Sequence, residues 1–145
     1  MKILRHWMEL KTVEPIQFVD ITEPVRDWVA SSGVAEGLLT LMSLHTTARI
    51  NINEREPQLQ RDMTAYLTRL VPRNEAWLHN LNAGDGRDNA HSHLLGLLMS
   101  ASETIPIEKG DLILGHWQSI FFVELDGPRD RRRVELQIIG EALSA

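Results

Sequence analysis

The 145-residue sequence contains no cysteine. Disulfide bonds, thiolate nucleophiles, iron–sulfur clusters and cysteine zinc sites are therefore excluded. Apolar runs are short: the longest, such as residues 37–44 and 120–123, fall far short of the about 20 residues that cross a bilayer. The first residues, MKILRHW, interrupt their apolar side chains with charge, unlike the apolar region of a signal peptide. We therefore expect a cytoplasmic protein with no membrane partner.

Basic charge is also scarce, since 15 Lys and Arg residues face 20 Asp and Glu residues and the net charge is −5. This balance excludes a general nucleic-acid binder, which needs a basic surface to displace counterions from phosphates. The one basic concentration is the segment RDRRR at residues 129–133. It is either a solvated hairpin end or an anion site, because guanidinium groups suit phosphate oxygens. We predict that Arg129 points into a pocket and binds anions, whereas Arg131, Arg132 and Arg133 are mainly solvated.

The composition, with 43% hydrophobic and 24% charged residues, predicts one globular domain over residues 1–145. Helices are expected from Thr22, as N-cap, to a stop at Gly33, and then over residues 57–70 and 89–101. Strands are expected at residues 1–10, 15–20, 37–44, 50–53, 104–107, 111–125 and 134–139, with Gly115 as a bulge. Because the later strands follow one another without intervening helices, the pattern predicts an α+β fold with largely antiparallel sheets.

No P-loop, dinucleotide-binding fingerprint, serine elbow or HExxH helix occurs in the sequence. The residues that could carry chemistry are histidines beside other polar side chains. His45, Thr46 and Thr47 follow a predicted buried strand, and Asn53 and Glu54 come shortly after them. Imidazole, hydroxyl and carboxylate groups together can hold a ligand or move a proton. The sequence therefore predicts a polar pocket at the end of this strand.

His91 and His93 lie where a polar loop enters the third predicted helix. On a regular helix their side chains would diverge by about 200°, but a bend from loop into helix can aim both at one point. We predict that His45, His91 and His93 bind one divalent cation, zinc or magnesium, with His79 as a reserve ligand and Glu54 as base. The alternative is a hydrogen-bonded histidine cluster that binds an anion.

Several motifs follow one another between residues 37 and 139. They are HTTA at 45–48, INE at 52–54, NAHSHL at 89–94, TIP at 104–106, LG at 114–115, WQ at 117–118, IF at 120–121 and ELDGPR at 124–129. In this combination the sequence resembles the YjbQ-like family, which is labelled as secondary thiamine-phosphate synthase enzymes. The sequence departs from the family pattern at His116, at Arg49 and at residues 100–101. The first two departures lie beside the expected pocket and bear on substrate preference.

The resemblance implies a compact α+β domain that assembles as a homotrimer, with a polar and metal-binding pocket near the subunit boundaries. We expect a neighbouring subunit to help cover the apolar residues 120–123. Through the matched motifs, the resemblance implies a set of catalytic candidates: His45, Thr46, Thr47, Asn53, Glu54, Gln118 and Glu124. It also implies that Asn89 and Arg129 bind substrate phosphate.

Three functions fit these residues. The resemblance implies an enzyme that acts on a phosphorylated small molecule, joining a pyrimidine diphosphate to a thiazole phosphate to form thiamine phosphate. The histidines also fit a zinc-dependent hydrolase, in which Glu54 serves as general base and one zinc position stays open for water. The third function is a non-enzymatic trimer that binds a metal or another ligand.

Overall fold

Two antiparallel β-sheets form the framework of the protein in the computed structural model, which describes residues 1–142. The five-stranded sheet has, in spatial order, β1 (Lys2–Thr12), β8 (Arg129–Glu141), β3 (Glu36–Ser43), β5 (Ser102–Glu108) and β6 (Asp111–Leu112). The three-stranded sheet has β2 (Gln17–Asp20), β7 (Gln118–Glu124) and β4 (Ala48–Glu54). Every strand pair is antiparallel, which confirms the predicted α+β class.

The core lies on both faces of the three-stranded sheet. Alternate residues of β7, such as Ile120 and Phe122, pack against inward side chains of the five-stranded sheet. The other residues of this strand, Phe121 and Val123, pack in a second cluster with Leu67. Residues 120–123 are therefore fully buried by their own chain, and the expectation that a neighbouring subunit helps to cover them is wrong.

Three α-helices and a short 3₁₀-helix (Leu78–Leu81) complete the fold; the α-helices are α1 (Thr22–Ser31), α2 (Pro57–Leu70) and α3 (Ala90–Gly96). The predicted bounds of α2 are confirmed, and Glu56 caps it by accepting hydrogen bonds from the backbone N–H groups of residues 58 and 59. Thr22 is the first residue of α1 and not its N-cap, because its hydroxyl accepts a hydrogen bond from Ile120 N (2.8 Å) and donates one to Asp20. No helix within residues 1–142 is long and apolar enough to cross a membrane.

The largest differences from the predicted elements concern the third helix and the strand at residues 111–125. Helix α3 ends at Gly96 because residues 100 and 101 pair with the sheets: Ile50 N donates to Ser100 O (3.1 Å) and Ser43 N donates to Ala101 O (2.8 Å). The predicted strand 111–125 is divided into β6 and β7. Gly115 lies in the intervening turn, where Gln118 N donates to Gly115 O at 3.0 Å, and is therefore not a bulge within a strand.

Candidate functional site

A polar cavity of about 290 Å³ lies where β3, β4, β7 and β8 end or begin near one another. Three segments form it: the β3–β4 connection, the start of β8, and residues 85–93, which lead into α3. Antiparallel pairing of β3 with β8 brings the first two segments together. We call this space the polar cavity. Its lining residues are Leu44, His45, Thr46, Thr47, Asp85, Asn89, His93, Arg129 and Arg132.

A buried ion pair between Arg132 and Glu124 supports the polar cavity from below. The two side chains are 4% and 0% exposed, and Arg132 Nε donates to Glu124 Oε2 at 2.7 Å. Thr12 Oγ1 donates to the same oxygen at 2.8 Å, and Arg132 Nη2 donates to Thr47 Oγ1 at 2.9 Å. Burial alone would raise the pKa of Glu124, but these bonds and the backbone N–H of Asp126 lower it. Glu124 is therefore ionised at neutral pH, and its carboxylate holds Arg132 and Thr12 in place.

The prediction that Arg132 is mainly solvated is wrong. Its position in β8 explains why, since Arg132 alternates with outward residues and shares the inward face with Val134, Leu136 and Ile138. The apolar residues Val134, Leu136 and Ile138 recur at every second position of the sequence, and extending this alternation backwards places Arg132 on the same inward face. Arg131 follows the prediction, because its side chain is 84% exposed.

Asp126 holds three other groups at the edge of the polar cavity. Its carboxylate accepts hydrogen bonds from Arg129 Nη2 (2.6 Å), Asn89 Nδ2 (2.8 Å) and Arg87 Nη2 (3.0 Å). Burial alone would raise the pKa of Asp126, but the bonds from Arg87, Asn89 and Arg129 lower it to about 2. Asp126 thereby fixes the two residues predicted to bind phosphate, Asn89 and Arg129, in one place.

This low pKa predicts a specific acid sensitivity. Because the folded pKa of Asp126 is about 2 and its ordinary value is 3.8, its contribution to stability is present above pH 3.8 and is lost as the pH falls toward 2. We expect Asp126→Asn to reduce, by about 2 kcal/mol, the fall in unfolding free energy between pH 6 and pH 2. Urea unfolding of both proteins at several pH values measures this, and parallel pH profiles would contradict it.

His45 is held in one tautomer by the start of β8. Its Nε2 accepts a hydrogen bond from the backbone N–H of Arg133 at 2.8 Å. A backbone N–H can only donate, so Nε2 carries no proton. Burial, followed by the positive charge of Arg132, lowers the pKa of His45, so the neutral ring is favoured at pH 7. The remaining proton is therefore on Nδ1, and His45 offers a ligand a hydrogen-bond donor.

The other histidines of the loop occupy different places. His93 lines the polar cavity, and its ring contacts that of His79 edge-on, with centroids 4.9 Å apart. His79 Nε2 lies 3.0 Å from Asn89 Oδ1. His91 is buried and does not line the cavity; its Nδ1 has no hydrogen-bond partner among residues 1–142. Burial lowers the pKa of both His91 and His93.

The predicted three-histidine metal site does not fit one chain. Within residues 1–142, no group of three or more histidine, aspartate or glutamate side chains is arranged to hold a metal ion. Zinc binding by His45 through Nε2 would also require loss of its hydrogen bond from Arg133. The alternative of a histidine cluster that binds an anion stays a prediction, and the only ring contact between these histidines is that of His79 with His93 within residues 1–142. A divalent metal, whether zinc or magnesium, stays a prediction with no geometry to support it here.

The catalytic candidates fall into two groups at opposite ends of β4. His45, Thr46 and Thr47 precede Ala48, which pairs with Glu124, whereas Asn53 and Glu54 end the strand beside Gln118. With about 3.3 Å per residue, the six steps from residue 48 to residue 54 separate the groups by about 20 Å. Within one chain, Asn53, Glu54 and Gln118 therefore lie away from the polar cavity, and Glu54 is too far to act there as a base.

Sequence reasoning also missed three supporting residues, Thr12, Arg87 and Asp126. Thr12 is distant in sequence from the motifs, and its hydroxyl both donates to Glu124 and accepts a hydrogen bond from Arg129 N at 2.9 Å. Arg87 lies in the polar loop before α3 and reaches Asp126 across 39 positions of sequence. Asp126 belongs to the ELDGPR motif and could have been singled out by it.

Comparison with known proteins agrees with this architecture. The family described as UPF0047 protein YjbQ-like matches residues 6–141. The chain belongs to this UPF0047 family. A UPF0047 protein of Methanothermobacter thermautotrophicus is 40% identical over 141 residues, covering 97% of this chain and 95% of the relative.

Solved UPF0047-type structures share the fold. A YbjQ-like protein of unknown function from Sulfolobus solfataricus has a TM-score of 0.91 and 36% identity, covering 97% of this chain and 99% of the other. A family protein from Clostridium acetobutylicum has a TM-score of 0.84 and 40% identity, covering 92% and 99%. These relatives support the predicted YjbQ-like resemblance and the α+β fold.

Proposed function

We propose that the protein is an enzyme that acts on a phosphorylated small molecule and binds the phosphate group in the polar cavity. One observation carries the proposal: His45, Arg129 and Arg132 all line this cavity, while the carboxylates of Asp126 and Glu124 are already paired with guanidinium groups. The Nδ1–H group of neutral His45 can donate a hydrogen bond to the oxygen of an anion.

The polar cavity and its supporting side chains carry three guanidinium groups and three carboxylates, so an anion would be held by N–H donors and not by a net positive charge. Arg129 and Arg132 use their Nε and Nη2 groups for internal bonds, which leaves their Nη1 ends for phosphate oxygens. Arg87 lies outside the cavity lining and shares the carboxylate of Asp126 with Arg129. Asp85 is exposed at the rim, where solvent screens its charge.

Thiamine-phosphate synthesis is the candidate reaction. In it, the ring nitrogen of a thiazole phosphate forms a bond to the methylene carbon of a pyrimidine diphosphate. The bond from that carbon to the diphosphate oxygen breaks, and pyrophosphate leaves with the electron pair, so no oxidant or reductant is needed. Arg129 and Arg132 would stabilise the charge that develops on the leaving group, because fixed donors at a developing oxyanion lower the barrier.

The assay combines binding and turnover. We expect Arg129→Ala to weaken calorimetric binding of inorganic phosphate by tenfold or more, because a hydrogen bond to a charged group contributes about 1.5–3 kcal/mol. Arg131→Ala is the matched control, since that side chain is 84% exposed and lies outside the cavity lining.

Turnover is then measured by incubating the protein with the thiazole phosphate and the pyrimidine diphosphate and detecting thiamine phosphate and pyrophosphate. Binding without turnover would favour the non-enzymatic ligand-binding alternative, and no phosphate binding would contradict the proposal.

We also propose that the protein is a homotrimer that associates through the outer face of the five-stranded sheet. Ile3, Ile139 and Leu38 are neighbours across three strands and are all exposed. Trp7 and Met42 continue this apolar surface, which supports an interface. Light scattering should give three times the mass of the 16.5 kDa chain. A monomer mass across micromolar concentrations would contradict the proposal.

A further inference from the structure

A second cavity, of about 420 Å³, adjoins the polar cavity at His93, which lines both. We call it the apolar cavity. Its volume lies within the range of small-molecule sites. Its lining residues are Trp77, Leu78, His79, Ala90, His93 and Leu94.

The walls of the apolar cavity are held in place by local contacts. Trp77 Nε1 donates a hydrogen bond to Pro72 O at 3.0 Å, which satisfies the polar atom of the indole ring. Ala90, His93 and Leu94 share one face of α3 because they are three and four residues apart. The edge-on contact with His93 and the bond to Asn89 hold His79 in the wall of the apolar cavity. A ligand that spans His93 would meet guanidinium groups on one side and apolar surfaces on the other.

We propose that the apolar cavity is the subsite for the apolar, ring-shaped part of a phosphate ester whose phosphate occupies the polar cavity. This inference rests on the proposed function, since the phosphate supplies the anchor. The occupant is a small molecule because the apolar surface is concave and shares His93 with a cavity that Arg129 and Arg132 line. His93 borders both parts of the ligand and is a positioning residue for the junction between them.

Calorimetry on the full chain with methyl phosphate and phenyl phosphate tests this inference. We expect phenyl phosphate to bind about tenfold more tightly, which corresponds to burial of about 60 Å² of additional apolar surface. Leu78→Ser should reduce this ratio to about threefold and leave methyl phosphate affinity unchanged. Leu81→Ser is the matched control: Leu81 is 79% exposed, as Leu78 is 83% exposed, but lines no part of the apolar cavity. Both substitutions replace exposed side chains and should leave the fold intact.

The outcomes distinguish failure of the apolar subsite from failure of phosphate binding. Equal affinity for the two esters in the wild-type protein would overturn the subsite while leaving phosphate binding established. Equal effects of the Leu78 and Leu81 substitutions would also overturn it, as would a change in the mass of the assembly caused by Leu78→Ser alone. If neither ester binds, the proposed function fails and this inference fails with it.

Discussion

Replacing Arg132 with methionine is expected to lower the free energy of unfolding by about 3–5 kcal/mol, because removing one partner of a buried ion pair leaves the other charge uncompensated. The carboxylate of Glu124 is fully buried and would keep only the bonds from Thr12 and from Asp126 N. Thr47 would also lose the donor to its hydroxyl. Urea unfolding, with a two-state fit and unchanged slope, measures the difference.

Two further variants separate the ion pair from general effects of substitution. Arg131→Met changes a neighbouring side chain that is 84% exposed and should alter stability by about 0.5 kcal/mol or less. The double variant Arg132→Met with Glu124→Leu should recover part of the loss, since apolar side chains can replace a buried pair, but Thr12 and Asp126 N would then lack their acceptor. An Arg132→Met protein as stable as Arg131→Met would show that the pair does not support the polar cavity.

Gly127→Ala is expected to destabilise the protein by about 3 kcal/mol, near the upper end of the usual range for overpacking. A Cβ atom at this position would lie 2.0 Å from the backbone oxygen of Glu14 and 2.9 Å from Cγ of Glu124. The backbone itself would have to move, because the nearest atom is a backbone oxygen, and the movement would strain the hydrogen bond from Gly127 N to Pro15 O (3.0 Å). The movement would disturb Asp126 and hence the positions of Arg129 and Asn89.

Gly84→Ala is the matched control, because nothing lies within 4 Å of the Cβ position at Gly84. This change should leave stability and phosphate affinity near the wild-type values. Thermal unfolding and phosphate calorimetry of the two variants measure both effects. Similar melting temperatures for Gly127→Ala and Gly84→Ala would contradict the close packing of the turn against residues 14 and 15.

Much of the fold was predictable because local signals agree with the tertiary structure. Helix α2 combines proline in its first turn with apolar residues on one face, and both bounds were predicted. The residue type of Thr22 predicts an N-cap, but its hydroxyl instead accepts a hydrogen bond from Ile120 N, 98 positions away. Tertiary hydrogen bonds of this kind leave no local signal in a single sequence.

The candidate site was predicted in part. The cavity lining includes the predicted residues His45, Thr46, Thr47, Asn89, His93 and Arg129. Asn53 and Glu54 are close to His45 in sequence, but strand β4 carries them to its opposite end. His91 lies two residues from His93, yet α3 turns its side chain into the interior. Sequence proximity indicates proximity in space only when the backbone between the residues is known.

The protonation state of His45 gives the most direct test of the proposed phosphate site. Long-range nitrogen–proton NMR of the imidazole groups, with His45→Gln used for assignment, distinguishes the two neutral tautomers. We expect His45 to carry its proton on Nδ1 at pH 7 and expect the Nδ1 resonance to shift on addition of inorganic phosphate, with a much weaker response in Arg129→Ala. A proton on Nε2, or an Nδ1 resonance that does not change at saturating phosphate, would contradict the account.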